Sequence, residues 1–426
     1  MKTLFKKIIF TILKWEAMLV LKRFKPRVIG VAGSVGKTST KDAIYAALES
    51  FVSVRKNKKS FNSDIGVPLT ILGLETGWGS PTAWLKNIFL GLKPLFGKEY
   101  PDWLVLEMGT DRPGDMKKLV SWISLDYAVF TRFPDVPVHA EYFARAQDVN
   151  DEDAQMMFGL KLNGVLVLNA DDAKISELAL KSTYRTMWYG FAETAHVHAS
   201  NMDIQYDEEG IPTAQNVKVN FGSNSVPLSI DGALGMQHVY PVLAAIVVAM
   251  EMGINALDAM ESLGSHRVPP GRMNIVPGVG GITIIDDTYN SSPIALKQAI
   301  ITMGDIKADR KIAILGDMSE LGKYTKHEHE NIAHVLEEQH VDHLITLGER
   351  ATFIYEEAVQ IGIKHVHKAA SHDDAVQKAL EWAKENTVVL VKGSQSSRME
   401  KVSFDLLYDK QRADELLVRQ DSYWKS

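Results

Sequence analysis

At 426 residues the chain can hold two or three domains, each with its own core. A hydrophobic content of 46% and a charged content of 23% are those of an ordinary globular protein, and a net charge of −6 leaves no electrostatic case for nucleic-acid binding. The absence of cysteine excludes disulfides, thiol catalysis and cysteine zinc sites, and the lack of a visible export signal leads us to expect a cytoplasmic protein.

Residues 1–27 are basic and apolar. The spacing of Leu4, Phe5, Ile8, Ile9, Ile12, Leu13, Leu19 and Val20 predicts a helix, with Lys2, Lys6, Lys7, Lys14, Lys22, Arg23, Lys25 and Arg27 around it. The longest uncharged run, Ile8–Leu13, is too short for a membrane span. Two readings fit: a helix packed on the protein's own core, and a helix lying at the inner face of a membrane, where cations around an apolar stripe suit anionic lipid.

Gly30–Thr40 follows, G-V-A-G-S-V-G-K-T-S-T, directly after the apolar pair Val28–Ile29. A strand, a glycine turn and a helix start are predicted here. Backbone N–H groups of such a turn wrap phosphates, so Gly33, Ser34, Val35, Gly36, Lys37, Thr38 and Ser39 are nucleotide-binding candidates. Lys37 reaches the β/γ oxygens and the Thr38 hydroxyl can bind Mg²⁺. Val31 stands where the strict motif has its first glycine.

Short apolar strands then alternate with helical stretches: Trp103–Glu107, Tyr127–Thr131, Val165–Asn169, Ile282–Asp286, Lys311–Gly316, His343–Leu347 and Val388–Lys392. This rhythm predicts an α/β fold with largely parallel sheets. Residues 76–101 read as a surface excursion carrying an amphipathic helix (Trp84, Leu85, Ile88, Phe89, Leu92), and 195–229 as polar hairpins attached to the first part. The stretch S-H-R-V-P-P-G at 265–271 reads as a hinge. The expected division is 1–27 (helix), 28–270 (nucleotide-binding domain) and 271–426 (second α/β domain).

Polar groups gather at the predicted strand ends, where open α/β sheets bind ligands. Glu107 closes one strand and is placed to hold Mg²⁺. His139 and Asn169-Ala170-Asp171-Asp172 follow the next two. In the second half, Arg272 lies at the hinge, positioned to complete a phosphate site on closure. Asp287 and Asn290 follow strand 282–285. Asp317 and Glu320 follow strand 312–315, and Lys392 and Ser394 follow strand 388–391, in turns suited to a small substrate.

As an ordered set, these segments resemble the Mur ligase family from Arg27 to the C-terminus. The matching text is G-S-V-G-K-T-S-T at 33–40, F-N-S-D-I-G-V-P-L-T-I-L at 61–72, L-E-M-G at 106–109, N-A-D-D at 169–172, G-R at 271–272, D-D-T-Y-N-S-S-P at 286–293, L-G-D-M-S-E-L-G at 315–322 and V-K-G-S at 391–394. The resemblance implies a central P-loop ATPase domain followed by a Rossmann-like domain. It also implies ATP- and Mg²⁺-dependent amide ligation on a cell-wall peptide precursor, with an amino acid or a dipeptide of the D-Ala-D-Ala kind as the amine, by a monomer. Lys37, His139 and Arg272 would then be catalytic, and Thr38, Glu107, His139 and Asp153 would hold the metal. Gly33–Ser39, Arg272, Asp287 and Asn290 would bind the nucleotide, and Asn62, Asp317, Glu320, Lys392 and Ser394 the substrates. Asp153 stands fourteen residues after His139, where the family has a carbamylated lysine. The family's G-x-H-N-x-x-N pattern is Gly235-Met236-Gln237-His238-Val239-Tyr240-Pro241 here, and Ser292 replaces an asparagine. Only about 29 residues precede Gly30, so the UDP-sugar site of the family's usual N-terminal domain is expected to be missing or supplied elsewhere. Two other readings remain open: an offshoot ligase of polyglutamate or lipid-linked type, and a non-catalytic ATP-binding subunit that needs a partner.

Overall fold

Two twisted sheets divide the chain. The computed structural model describes residues 2–57, 62–77, 80–264, 267–341, 343–421 and 424, with side chains from residue 8 onward. Phe61 of the 61–72 motif, Trp78 and Gly79 of the excursion, and Ser265 and His266 of the predicted hinge lie outside the described residues.

The first sheet comprises β1 (Arg27–Ala32), β2 (Val54–Lys56), β3 (Trp103–Glu107), β4 (Leu125–Phe130), β5 (Leu160–Asn169), β6 (Arg185–Gly190), β7 (Val197–Tyr206), β8 (Pro212–Phe221) and β9 (Asn224–Asp231), in the order β2-β3-β1-β4-β5-β6-β7-β8-β9. It is parallel from β2 to β7 and antiparallel from β7 to β9. The hairpins expected at 195–229 are therefore the far edge of this same sheet. The second sheet comprises β10 (Asn274–Pro277), β11 (Thr283–Asp287), β12 (Arg310–Gly316), β13 (His343–Leu347), β14 (His365–Lys368) and β15 (Thr387–Lys392), in the order β10-β11-β15-β12-β13-β14. Only the β10–β11 pair is antiparallel.

The central strands read as unbroken apolar runs because both faces are covered. Val31, Val105, Val129 and Val167 face one core, and Val28, Leu104, Leu106, Ala128, Leu166 and Leu168 face the other. Helices α1 (Lys2–Phe24), α2 (Lys37–Leu48), α3 (Gly66–Leu72), α4 (Pro81–Gly91), α5 (Asp115–Val120), α6 (Ala146–Ala154), α7 (Ala173–Leu180) and α8 (Met236–Glu251) belong to the first half. Helices α2 and α8 cover the first face, while α1 and α3 lie on the second.

The α1 stripe Ile9, Leu13, Ala17 and Val20 is fully buried, so its own core holds this helix. Among the described residues no helix is long and apolar enough to cross a membrane. Glu16 shares the buried side of α1, and its Oε2 has no hydrogen-bond partner. It faces Gly91 at the end of α4, where a Cβ would come within 2.0 Å of that oxygen. Burial pushes the Glu16 carboxyl up to about 7. The folded state therefore holds this proton to a higher pH than the unfolded chain, whose carboxyl titrates near 4.5, and stability from this group falls as pH rises from about 4.5 through about 7. Glu16→Gln should flatten that loss. Thermal melts at pH 5 and pH 8 should show a smaller drop in Tm for the variant than for wild type, and equal drops would remove Glu16 as a titrating core group.

Candidate active site at the facing strand ends

The central turn starts where β1 ends at Ala32. The chain passes through Gly33 (φ 124°) and Gly36 (φ 87°) and enters α2 at Lys37. A side chain at Gly33 would put a Cβ 2.3 Å from Thr131 Oγ1, so the backbone passes where only glycine fits. Ser34 N–H donates to Arg132 O at 2.9 Å, and Thr131 N–H to Ala32 O at 3.0 Å, which clamps the turn to the chain leaving β4. No side chain caps α2, so its first N–H groups are left for an anion. Lys37 Nζ donates to Gly33 O at 2.5 Å.

Two acidic residues line the cleft with this turn, and a third meets His139 beside it. Glu107, at the end of β3, is buried. Its Oε1 accepts from Asn62 Nδ2 at 3.0 Å, and its N–H donates to Asn57 Oδ1 at 2.7 Å. Its Oε2 has no hydrogen-bond donor and sits 3.9 Å from Lys41 Nζ. Lys41 is itself buried on α2, 3.4 Å from Asp42 Oδ1, with Nζ donating to Asn57 O at 3.0 Å. Burial pulls the Lys41 ammonium below its ordinary value, against the opposing pull of Glu107 and Asp42. Asp153, on α6, is 2% exposed and accepts from Thr110 Oγ1 at 2.7 Å. Burial raises its carboxyl, opposed by Lys37, the Thr110 hydrogen bond and His139. The third, Glu320, arrives from the second half of the chain. His139 (φ 72°) has Nδ1 2.6 Å from Glu320 Oε2, at an angle outside that of a hydrogen bond, and Nε2 3.5 Å from Asp111 Oδ1. Glu141 N–H donates to Glu320 O at 3.2 Å, so backbone as well as charge joins the two halves.

The second sheet supplies the opposite wall. The Arg272 guanidinium lies 4.1 Å from the Tyr289 ring centre. Asp287 Oδ2 pairs with Lys392 Nζ at 2.6 Å, and Lys392 also donates to Asn290 O at 2.8 Å. Lys392 is buried, so its charge is already compensated within the protein.

One cleft joins these groups. Ser34, Val35, Gly36, Lys37, Thr38, Ser39, Asn62, Glu107, His139, Asp153, Arg272, Asp287, Asn290 and Lys392 all line it. Gln237, His238, Tyr240 and Pro241 of α8 line it too, and Gln237, His238 and Pro241 are positions where the sequence departs from the family pattern. Gly33 shapes the turn from beneath. Asp317, Glu320 and Ser394 lie outside the lining. Asp317 Oδ1 accepts from Ala351 N–H at 2.8 Å, its O accepts from Ser394 N–H at 2.8 Å, and Ser394 Oγ accepts from Ser319 Oγ at 2.9 Å. Among the described residues no three His, Asp or Glu side chains converge to hold a metal by themselves. Sequence reasoning missed Lys41, Asn57 and Thr110, which fix Glu107 and Asp153. A lysine on a helix reads as a solvent-facing charge, and only the fold shows that Lys41 points under the sheet edge.

The glycine turn at the start of α2 and Arg272, in the loop just before β10, line the same cleft. Residues 31–249 match the Mur ligase middle domain and residues 271–395 the Mur ligase glutamate ligase domain, so the chain belongs to the Mur ligase family, a class of ATP-dependent acid–amino-acid ligases. Among similar proteins, the UDP-N-acetylmuramoyl-tripeptide–D-alanyl-D-alanine ligase of Bacillus subtilis is 29% identical over 403 residues, covering 93% of this chain and 79% of that protein. The ligase of the same name from Escherichia coli is 25% identical over 387 residues, covering 91% and 78%. The fold is shared with MurF from Acinetobacter baumannii (TM-score 0.76, 21% identity, 93% and 80% covered) and with MurF ligase from Thermotoga maritima in complex with ADP (TM-score 0.75, 23%, 96% and 84%).

Gly33→Ala should remove nucleotide binding, because the Cβ must displace Thr131 from the end of β4. Calorimetric titration with ADP should show at least a tenfold loss of affinity, of the order expected when one strained residue is forced on a tight site at 1–3 kcal/mol. Unchanged affinity would show that the turn does not touch the nucleotide.

Proposed function

We propose that this enzyme joins the free carboxylate of a muramyl peptide precursor to the amine of D-alanyl-D-alanine or a similar short substrate, driven by ATP, as a step in peptidoglycan synthesis. The observation that carries this reading is the one cleft lined both by Lys37, at the start of α2, and by Arg272, in the loop before β10. The domain division at 270/271 belongs to the same proposal and is supported by the break between the sheets. We take the enzyme to act as a monomer on the cytoplasmic side, with peripheral contact at the inner face of the membrane.

The substrate carboxylate attacks the γ-phosphorus of ATP, giving an acyl phosphate and ADP. The amine then attacks the acyl carbon, and inorganic phosphate leaves as the amide forms. Lys37 and Arg272 offset charge on the transferring phosphoryl group from opposite sides. Asn290, beside them, and the N-terminal N–H groups of α2 bind the nucleotide. Asp287 joins the nucleotide side, while its ion-pair partner Lys392 and Asn62 orient the peptide end, with Asp317, Ser394 and Glu320 bracing the loops that carry it. The buried Glu107 carboxylate, whose Oε2 has no hydrogen-bond donor, and the buried Asp153 carboxylate, with the Thr38 hydroxyl, would make an all-oxygen set that fits Mg²⁺, and His139 lines the same cleft. Mg²⁺ there would neutralise the phosphate oxygens, which with water would complete its shell.

Lys37→Ala should keep the fold and lose turnover by roughly 10²–10³-fold, the scale of removing one preorganised electrostatic group. Near-normal ADP formation in that variant would remove Lys37 from the chemistry. Asp153 supplies its carboxylate directly, so activity should not depend on bicarbonate, and Asp153→Ala should lose activity with its thermal melt unchanged. Stimulation of wild type by bicarbonate, or normal turnover of Asp153→Ala, would contradict the role. The reading as a whole is tested by ADP formation with UDP- and lipid-linked muramyl tripeptides and D-alanyl-D-alanine. Formation that needs both substrates is expected, and no stimulation by any pair would favour a binding subunit instead.

A further inference from the structure

Helix α1 presents two faces, and only one is used by the core. The other carries Ile8, Thr11, Trp15, Met18 and Lys22, spaced three and four residues apart and exposed. Helix α4 and the short 3₁₀ turn Lys93–Phe96 run beside it in the same direction. Phe10 meets Trp84 (ring centres 5.9 Å), Glu16 meets Gly91, and Arg23 Nη2 donates to Gly97 O at 3.3 Å. Three contacts in the same order along both segments fix them as a parallel pair. The outward side of the second segment carries Leu85, Phe89, Leu90 and Phe96, with Phe89 76% and Phe96 85% exposed.

The charge on this pair is mostly of one sign, with exposed Glu99 following Lys98 and Asp126 pairing with Arg27. From Ile8 to Arg27 the cations are Lys14, Lys22, Arg23, Lys25 and Arg27, and the single carboxylate, Glu16, is buried. From Ser80 to Lys98 the cations are Lys86, Lys93 and Lys98, with no Asp or Glu. This stands in a chain with a net charge of −6. Soluble monomers seldom expose a contiguous apolar patch of several large side chains without using it. Aromatic and aliphatic tips ringed by lysine and arginine match the boundary between lipid headgroups and acyl chains.

We propose that α1 and the 81–96 segment together form a docking surface for an anionic phospholipid bilayer. Phe89, Phe96, Trp15 and Ile8 enter the headgroup region, and Lys22, Lys86, Lys93 and Lys98 lie against the phosphates. The surface differs from the membrane helix expected from residues 1–27 alone. The Ile9–Val20 stripe stays in the core, the opposite face meets lipid, and a second segment 70 residues away supplies the two most exposed aromatic side chains. Docking is independent of the ligase reading, because nothing in the surface belongs to the cleft.

The test is flotation of the full chain with vesicles of phosphatidylglycerol and phosphatidylethanolamine, against phosphatidylcholine alone, at low and high salt. Wild type should float with the anionic vesicles, at least tenfold less with neutral ones, and lose binding at high salt, as a surface attraction per cation requires. The variant Phe89→Ser/Phe96→Ser should lose apolar anchoring, and Lys86→Glu/Lys93→Glu should lose charge. Both alter exposed positions, so their melts and ADP formation should match wild type. The proposal is overturned if wild type stays in solution with anionic vesicles, or if both variants float as well as wild type. It is equally overturned if sedimentation shows a wild-type dimer that Phe89→Ser/Phe96→Ser converts to monomer, since a second copy would then own the patch.

Discussion

Everything at the active site hangs on the absence of a side chain at Gly33. The turn after β1 passes so close to Thr131 that a single methyl group would collide with it. That closeness lets Ser34 N–H donate to Arg132 O and Thr131 N–H donate to Ala32 O across the strand ends. It continues outward: Asn169 Nδ2 donates to Thr131 O at 2.9 Å, and Asp172 Oδ2 accepts from Phe133 N–H at 2.7 Å. The ends of β1, β4 and β5 are thereby held in one frame, and the phosphate turn inherits the rigidity of the sheet rather than that of a loop.

A second constraint is electrostatic. Glu107 and Lys41 are both buried beneath the turn, and each would be costly alone. Lys41 Nζ stands 3.9 Å from Glu107 Oε2, Asn62 Nδ2 donates to Oε1 and Asn57 Oδ1 accepts from the Glu107 N–H, so the carboxylate is held in place with Oε2 facing no hydrogen-bond donor. Across the cleft Lys392 is paired with Asp287, and the Arg272 guanidinium lies over the Tyr289 ring.

Much of this was legible in the chain. The buried strands announced themselves as apolar runs ending in a polar residue, and β3 and β13 were placed to the residue, because a strand covered on both faces has no alternation to blur its limits. The glycine turn was visible because it follows the run of β1, Glu107 because it closes β3, His139 as a lone histidine in the loop beyond β4, and Arg272 because it ends a stretch rich in proline and glycine. Three features were not. The continuity of β6 with β7 depends on a parallel pairing of two residues that no local pattern marks. The approach of Glu320 to His139 joins positions far apart in sequence and exists only when the two halves are packed. The α1–α4 pair is set by contacts such as Phe10–Trp84 and Glu16–Gly91, between segments whose separate patterns predict only that each is amphipathic.

The central claim is that one cleft carries a phosphoryl group from a nucleotide on the first sheet to a carboxylate presented against the second. A muramyl tripeptide precursor labelled with ¹⁸O in its terminal carboxylate, turned over with ATP and D-alanyl-D-alanine, tests it most directly. Direct transfer through an acyl phosphate predicts that the released inorganic phosphate carries one ¹⁸O and that ADP carries none. Label appearing in AMP, or amide formation with unlabelled phosphate, would contradict it.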